Sequence, residues 1–149
     1  MENNISRNKQ NEKIMFSIYD ALMSAKNKDT FDVEQSMTSL FDVESFDDVP
    51  YFSKLVVIKA LKNITDIIKE FQAHMPKWDF DRLNLVEQAI LIMSYSSNKY
   101  TDEIEKPIAI SNAILLAKKY LDKDDYKFVN AILDNVLWSK TWPLFLYHH

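Results

Sequence analysis

Ten residues decide the fold class: Asn84-Leu85-Val86-Glu87-Gln88-Ala89-Ile90-Leu91-Ile92-Met93. Asn84 stands three residues before Glu87, which is the spacing of a helix-starting capping box, with Asn in place of Ser or Thr. The side chains that follow are apolar on most sides of a helix rather than along one stripe. A helix with that pattern is buried on most sides. We therefore predict that it lies at the centre of a helical bundle.

Helical periodicity continues on both sides of this stretch. Thr30 is a candidate N-cap for the second helix, Pro76 ends the third, Pro107 starts the one after the central helix, and the stretch 94–106 is polar. No run of residues alternates with the period of a strand. The sequence predicts an all-α, single-domain bundle of six to seven helices, with helical segments at about 7–25, 33–41, 52–71, 85–93, 107–120 and 128–137.

Composition excludes several function classes. The chain has 149 residues, of which 47% are apolar and 27% charged, and it contains neither Cys nor Gly. The phosphate-binding loops of P-loop and dinucleotide enzymes need glycine, so those enzymes are excluded. The longest apolar runs are five residues, too short for a membrane span, and the first residues lack the apolar segment of a signal peptide. We expect a cytoplasmic protein with no membrane contact.

Charge is distributed unevenly along the chain. The net charge is −4, but residues 1–28 carry +2, residues 29–50 carry −7 and residues 51–149 carry +1. One acidic stretch thus supplies more than the whole negative balance. A locally basic surface is compatible with that distribution.

The sequence offers little support for catalysis. Three histidines are present, and none stands at metal-ligand or nucleophile-activating spacing: His74, His148 and His149. Two pairs of acids are more simply explained as helix N-terminal residues that face the macrodipole: Asp79 with Asp81, and Asp124 with Asp125. We predict that the protein is not an enzyme and uses no metal and no cofactor.

Two motifs carry a resemblance to a known family. The first runs from Trp78 through Arg82-Leu83 to the block Val86-Glu87-Gln88-Ala89-Ile90-Leu91. The second starts at Pro107 and ends in the more specific block Lys127-Phe128-Val129-Asn130-Ala131-Ile132-Leu133-Asp134. In order, spacing and helical pattern, about residues 5–137 resemble the NusB family of bacterial transcription antitermination factors.

The resemblance implies a NusB-like fold that binds boxA-type single-stranded RNA together with the small-subunit ribosomal protein NusE. Such a complex acts with the transcription elongation complex on ribosomal RNA operons. Glu87 falls where the family contacts its ribosomal-protein partner. Six residues match family positions that meet RNA: Arg7, Lys9, Lys13, Asp124, Lys127 and Phe128.

Physical chemistry is compatible with these roles and also offers simpler ones. Lysine and arginine contact phosphates without reading sequence, and an aromatic ring beside a lysine suits single-stranded RNA. Phe128 could equally be a core residue, Asp124 an N-cap and Glu87 a capping-box acid. The three cations near the N-terminus could equally form a solvated helix face.

Two further expectations concern function and the end of the chain. Family N-termini are rich in arginine, whereas this one has a single Arg, so the alternative function is a NusB-like interaction or dimerisation module with weak or no RNA specificity. A NusB-like domain taken from a larger enzyme is a third reading. Residues 138–149 are too apolar for a free tail, and we expect them to dock on the bundle, with a homodimer contact or a partner's groove as the alternative.

Overall fold

The computed structural model of the chain describes residues 5–139. Within that range it contains no strand, and the prediction of an all-α bundle of six to seven helices is confirmed. Two 3₁₀ turns, Phe46–Asp48 and Phe80–Arg82, connect some of the helices. The α-helices are α1 (Arg7–Lys26), α2 (Val33–Phe41), α3 (Tyr51–Lys62), α4 (Ile64–Ala73), α5 (Leu85–Lys99), α6 (Lys106–Tyr120) and α7 (Asp125–Leu137).

Helix α5 is the centre of the bundle, as its sequence predicts. Its side chains are buried without interruption from Glu87 to Ser97, and it packs against α1, α3, α4, α6 and α7. The side-chain oxygen of Asn84 accepts a hydrogen bond of 2.8 Å from the Glu87 backbone N–H. Because that bond satisfies one of the free donors at a helix start, it fixes where α5 begins.

Serines in the second half of α5 are buried, although the sequence predicts a polar connection over 94–106. The Ser94 hydroxyl donates to the backbone carbonyl of Ala109 at 2.9 Å, and the Ser96 hydroxyl donates to that of Val56 at 2.8 Å. Small hydroxyls that find backbone acceptors on neighbouring helices can be buried at little cost. The predicted connection was therefore wrong over 94–99, where α5 continues.

The predicted third helix, 52–71, is two helices. Asn63 separates α3 from α4 with backbone angles φ −112° and ψ 17°, and its side-chain amide donates to the Lys59 carbonyl at 2.8 Å. Asparagine competes with helical hydrogen bonding in this way. The apolar periodicity runs through the break, and for that reason the sequence pattern does not reveal it.

Helix α2 begins and ends without glycine. Its N-cap is Asp32, whose side chain accepts from the Gln35 N–H at 3.1 Å, rather than the predicted Thr30. Asp42 ends the helix in the left-handed conformation with φ 55°, and Lys28 takes φ 59° in the preceding loop. Glycine is the usual residue at such positions, and this chain has none.

The end of the described chain lies beyond α7. Trp138 is 55% exposed, and the Lys106 ammonium lies 5.1 Å from its ring centroid. Residues 140–149 lie outside the described residues, so the docking of segment 138–149, and with it the division at residue 137, stays a prediction. Among the described helices, none is both long and apolar enough to cross a membrane.

Candidate nucleic-acid interface

Arg7, the first predicted RNA contact, is held against the bundle. Its guanidinium carbon lies 3.7 Å from the centroid of the Phe52 ring. Its Nη2 lies 3.6 Å from a carboxylate oxygen of Glu103, and 39% of the side chain is exposed. The guanidinium of Arg7 therefore already has two partners within the protein, through a cation–π contact and an ion pair.

Lys13, another predicted RNA contact, reaches the end of α2. Its ammonium donates to the backbone carbonyl of Leu40 at 2.7 Å and lies 5.8 Å from the centroid of the Phe41 ring. A cation is favourable there because the last carbonyls of a helix lack intrahelical partners and carry partial negative charge. Lys13 of α1 therefore contacts the C-terminal end of α2.

Lys9 remains at the surface and meets a second lysine through a shared carboxylate. Its ammonium lies 3.8 Å from one oxygen of Glu12, and the other oxygen accepts a hydrogen bond of 2.6 Å from Lys119 on α6. The hydrogen bond from Lys119 is the main reason why the pKa of Glu12 lies below its usual value. Cations of two helices therefore lie beside the same carboxylate.

Lys118 and Lys127 extend the cationic surface from α6 to α7. The Lys118 ammonium lies 4.7 Å from the centroid of the Tyr126 ring. Lys127, the next residue, is exposed and lies 3.6 Å from a carboxylate oxygen of Asp124. We name the exposed residues Lys9, Lys118, Lys119 and Lys127 the lysine surface.

Sequence reasoning missed two members of the lysine surface. Lys118 and Lys119 stand in the last turn of α6, where cations are favourable for the helix alone. The pair was visible in the sequence as two adjacent lysines. Lys118 and Lys119 lie near Lys9 and Lys127 because α6 packs against both α1 and α7.

The aromatic and acidic residues of the α7 motif have mixed roles. Phe128 is half-buried and packs against the hydrophobic core. Asp124 precedes α7, but its side chain makes no capping hydrogen bond. Asp125 instead accepts from the Asp122 backbone N–H at 3.2 Å.

Glu87, the predicted partner contact, is only 8% exposed. Burial and, to a lesser degree, the nearby Asp125 carboxylate raise its pKa to about 7. It lines a depression of about 490 Å³ together with the exposed Trp78 and with Arg82. A second depression, of about 690 Å³, lies beside it between α1 and the start of α5 and is lined by Tyr19.

No group of three His, Asp or Glu side chains within residues 5–139 could hold a metal ion. The candidate interface in the described part of the chain consists of lysines, a half-buried phenylalanine and two depressions around the start of α5.

Fold and surface together define a helical bundle that presents lysines from three helices on its exterior. The chain belongs to the NusB family, whose sequence model matches residues 9–137. It is 35% identical to transcription antitermination protein NusB of Ligilactobacillus salivarius over 127 residues, which cover 84% of this chain and 93% of that protein. Its match to the protein of the same name from Treponema denticola is 45% identical over 85 residues, 57% of this chain and 62% of that protein.

Solved structures share the fold. T. maritima NusB superposes with a TM-score of 0.76 at 20% sequence identity, over 93% of this chain and 94% of that one. A chain from the crystal structure of a plectonemic RNA supercoil superposes with a TM-score of 0.74 at 21% identity, over 88% of this chain and 93% of that one. At these identities the likeness concerns the fold alone.

Proposed function

We propose that this protein is a transcription antitermination factor that binds boxA-type RNA together with the ribosomal protein NusE. In this role it supports processive transcription of ribosomal RNA operons as part of the elongation complex in the cytoplasm. Membership of the NusB family supports the proposal, because the relatives above carry the name transcription antitermination protein. The function requires no catalytic step, metal or cofactor.

The lysine surface is the observation that carries the RNA part of the proposal. Lys9 and Lys119 are 63% and 56% exposed at their side chains, and Lys127 is 66% exposed. Ammonium groups with that exposure can contact phosphates without any rearrangement of the core. The half-buried Phe128 beside Lys127 adds a ring edge or face for a base.

We place the ribosomal-protein contact at the start of α5. Glu87 supports this placement because it lines a depression with Trp78, which is 65% exposed. Large exposed aromatic residues are enriched at protein interfaces. A carboxyl group with a pKa near 7 can also accept or donate a hydrogen bond to a partner at neutral pH.

One observation favours a second candidate function, a NusB-like interaction or dimerisation module with weak or no RNA specificity. Arg7 and Lys13 are engaged with Glu103, Phe52 and the Leu40 carbonyl. Two of the three cations predicted near the N-terminus are therefore engaged within the bundle. In this second function, RNA contacts are left to partner proteins.

Fluorescence anisotropy separates the two functions. A boxA-like RNA and a scrambled RNA are titrated with the protein, with and without NusE, at several salt concentrations. If the four lysines each neutralise one phosphate, the slope of log K against log salt is about −3 for a single strand. Preference for the boxA-like RNA that NusE strengthens supports antitermination, whereas equally weak binding to both RNAs supports the interaction module.

Phe128→Ala provides a variant for the same assay. We expect it to weaken the preference for the boxA-like RNA, because the Phe128 ring is one of the aromatic groups near the lysines that can stack on a base. Phe46→Ala is the matched control, since Phe46 is also half-buried against the core but lies in the turn before α3. Equal losses in both variants would attribute the effect to destabilisation.

A further inference from the structure

A groove between α1 and α6 contains an unsatisfied polar group. Its volume is about 370 Å³, which lies within the range of small-ligand sites. Helix α1 contributes Lys9, Asn11 and Glu12 to its lining, and α6 contributes Leu115 and Lys119. Neither Asn11 nor Leu115 has a role in the function proposed above.

Asn11 is 3% exposed, and its side-chain Nδ2 has no hydrogen-bond partner among the described residues. Buried amide groups in folded proteins are nearly always paired. An unpaired amide here therefore points to a hydrogen-bond acceptor from outside the described residues. Asn11 lines the groove, but its Nδ2 is itself buried, so the amide must turn toward the groove for an acceptor oxygen there to become its partner.

Charge in the groove favours an anionic acceptor. Lys119 donates to Glu12 at 2.6 Å, while Lys9 lies 3.8 Å from the same carboxylate, beyond hydrogen-bond length. An ammonium group has three N–H donors, so both lysines keep donors that Glu12 does not use. The three charged side chains together carry +1, and the groove attracts an anion although a carboxylate lies within it.

Leu115 indicates that the anion has an apolar part. Its side chain is 56% exposed beside the two lysines. Inorganic phosphate would leave that surface in water, whereas a nucleotide places a ribose and a base next to its phosphate. Lys9 and Lys119 also belong to the lysine surface, so a chain bound there passes the groove. This continuity favours RNA over a peptide as the occupant.

We propose that the groove between α1 and α6 is a subsite for one nucleotide of single-stranded RNA. Phosphate oxygens accept hydrogen bonds from Asn11, Lys9 and Lys119, and the ribose and base pack on Leu115. The proposal rests on the RNA-binding function proposed above, because it names where one nucleotide of that RNA lies.

A carboxylate introduced into the groove tests the subsite. Leu115→Glu changes an exposed residue and is expected to fold normally. Repulsion of the phosphate should weaken binding of a boxA-type RNA roughly fivefold or more at low salt. Ile108→Glu is the matched control, because Ile108 is 49% exposed on the same helix but does not line the groove. Equal weakening by both variants would overturn the subsite, since general repulsion would then explain the effect.

Nuclear magnetic resonance locates the contact directly. The side-chain amide signal of Asn11 is assigned by its loss in Asn11→Ala and is then followed while boxA-type RNA or inorganic phosphate is added. We expect it to shift with RNA and to saturate at the concentration that saturates anisotropy. A shift with phosphate but not with RNA would identify a free-anion site, and a shift with NusE alone would identify a protein-docking groove. Either result overturns the proposal.

The nucleotide subsite and the antitermination function can be overturned separately. RNA binding with an unmoved Asn11 signal, and with Leu115→Glu binding as well as the unaltered protein, overturns the nucleotide subsite and leaves the antitermination function intact. Absence of RNA binding, both with and without NusE, overturns the function and the subsite together.

Discussion

Glu12 and Glu87 are the same residue type in opposite surroundings. Glu12 lies between two surface lysines, and the hydrogen bond from Lys119 holds its pKa below the usual value. Glu87 stands at the start of α5, where the helix dipole favours a charged carboxylate. Burial nevertheless outweighs the dipole and raises its pKa to about 7, with help from Asp125. A hydrogen bond from a lysine lowers the pKa of Glu12, and burial raises the pKa of Glu87. Position on a helix does not decide either direction.

The two glutamates also lie at two different candidate binding sites. The carboxylate of Glu12 neutralises part of the positive charge of Lys9 on α1 and Lys119 on α6, at the groove that we assign to RNA. The carboxyl of Glu87 is costly to ionise and lies at the depression that we assign to the protein partner. Each glutamate can be tested by a substitution that removes only the charge.

Glu87→Gln should have the largest effect, on stability. A folded pKa near 7 against an ordinary value of 4.5 means that the folded state binds this proton more tightly than the unfolded state does. Glu87 therefore destabilises the fold increasingly as pH rises from 4.5 to 7. The variant should be more stable by roughly 3 kcal/mol at pH 8 and by almost nothing near pH 4.

Urea denaturation between pH 4 and pH 8 measures this difference. Glu44→Gln, on an exposed residue outside the bundle core, is the control for a general change in charge. A stability gain of Glu87→Gln that stays constant over the whole pH range would mean that the carboxyl is not buried as the structure shows.

Asp125→Asn should have a smaller effect, because it removes the lesser cause of the Glu87 shift. The pKa of Glu87 should fall but remain above 4.5, since burial is the larger cause. The carboxyl carbon signal of Glu87, followed by nuclear magnetic resonance through a pH titration, gives the value. A return to about 4.5 would show that charge repulsion, and not burial, sets the shift.

Glu12→Gln should change RNA binding by a few-fold and stability by less than Glu87→Gln does. The substitution removes a negative charge beside Lys9 and Lys119 and frees both for phosphate, so affinity for boxA-type RNA should rise. Anisotropy at low salt measures the change, with Glu44→Gln as the charge-matched comparison. Lower affinity would mean instead that Glu12 is needed to hold the lysines in place.

Salt should produce the smallest effect and distinguish the two glutamates without any substitution. At 1 M salt, screening weakens interactions of exposed charges, so the pKa of Glu12 should move up toward its usual value. The pKa of Glu87 should change much less, because burial is not screened. Equal movements in a pair of titrations at low and high salt would contradict the assignment of causes.

Local patterns in the sequence predicted most of the fold. The central position of α5 and the bond between Asn84 and Glu87 follow from residues that are neighbours along the chain. The burial of Ser94 and Ser96 does not, because their acceptors, Ala109 and Val56, are brought near only by packing.

The candidate site shows the same division. Lys9 and Lys127 were predicted from family positions and lie exposed, and their RNA contacts stay predictions. Lys13 was predicted alongside them, but the structure turns it to the Leu40 carbonyl, a partner 27 residues away along the chain. Lys119 was missed because its importance depends on Glu12 of a helix more than one hundred residues earlier.

The glycine-free loops around α2 have a consequence for the unfolded chain. Lys28 and Asp42 each hold a left-handed backbone, which costs about 1–2 kcal/mol for a residue with a side chain. A residue other than glycine also has fewer conformations to lose on folding, which contributes about 0.4–1 kcal/mol in the opposite direction. Part of the cost of these turns is therefore offset in the denatured ensemble. Because no position of this chain is glycine, its denatured ensemble contains fewer conformations than that of a chain with ordinary glycine content.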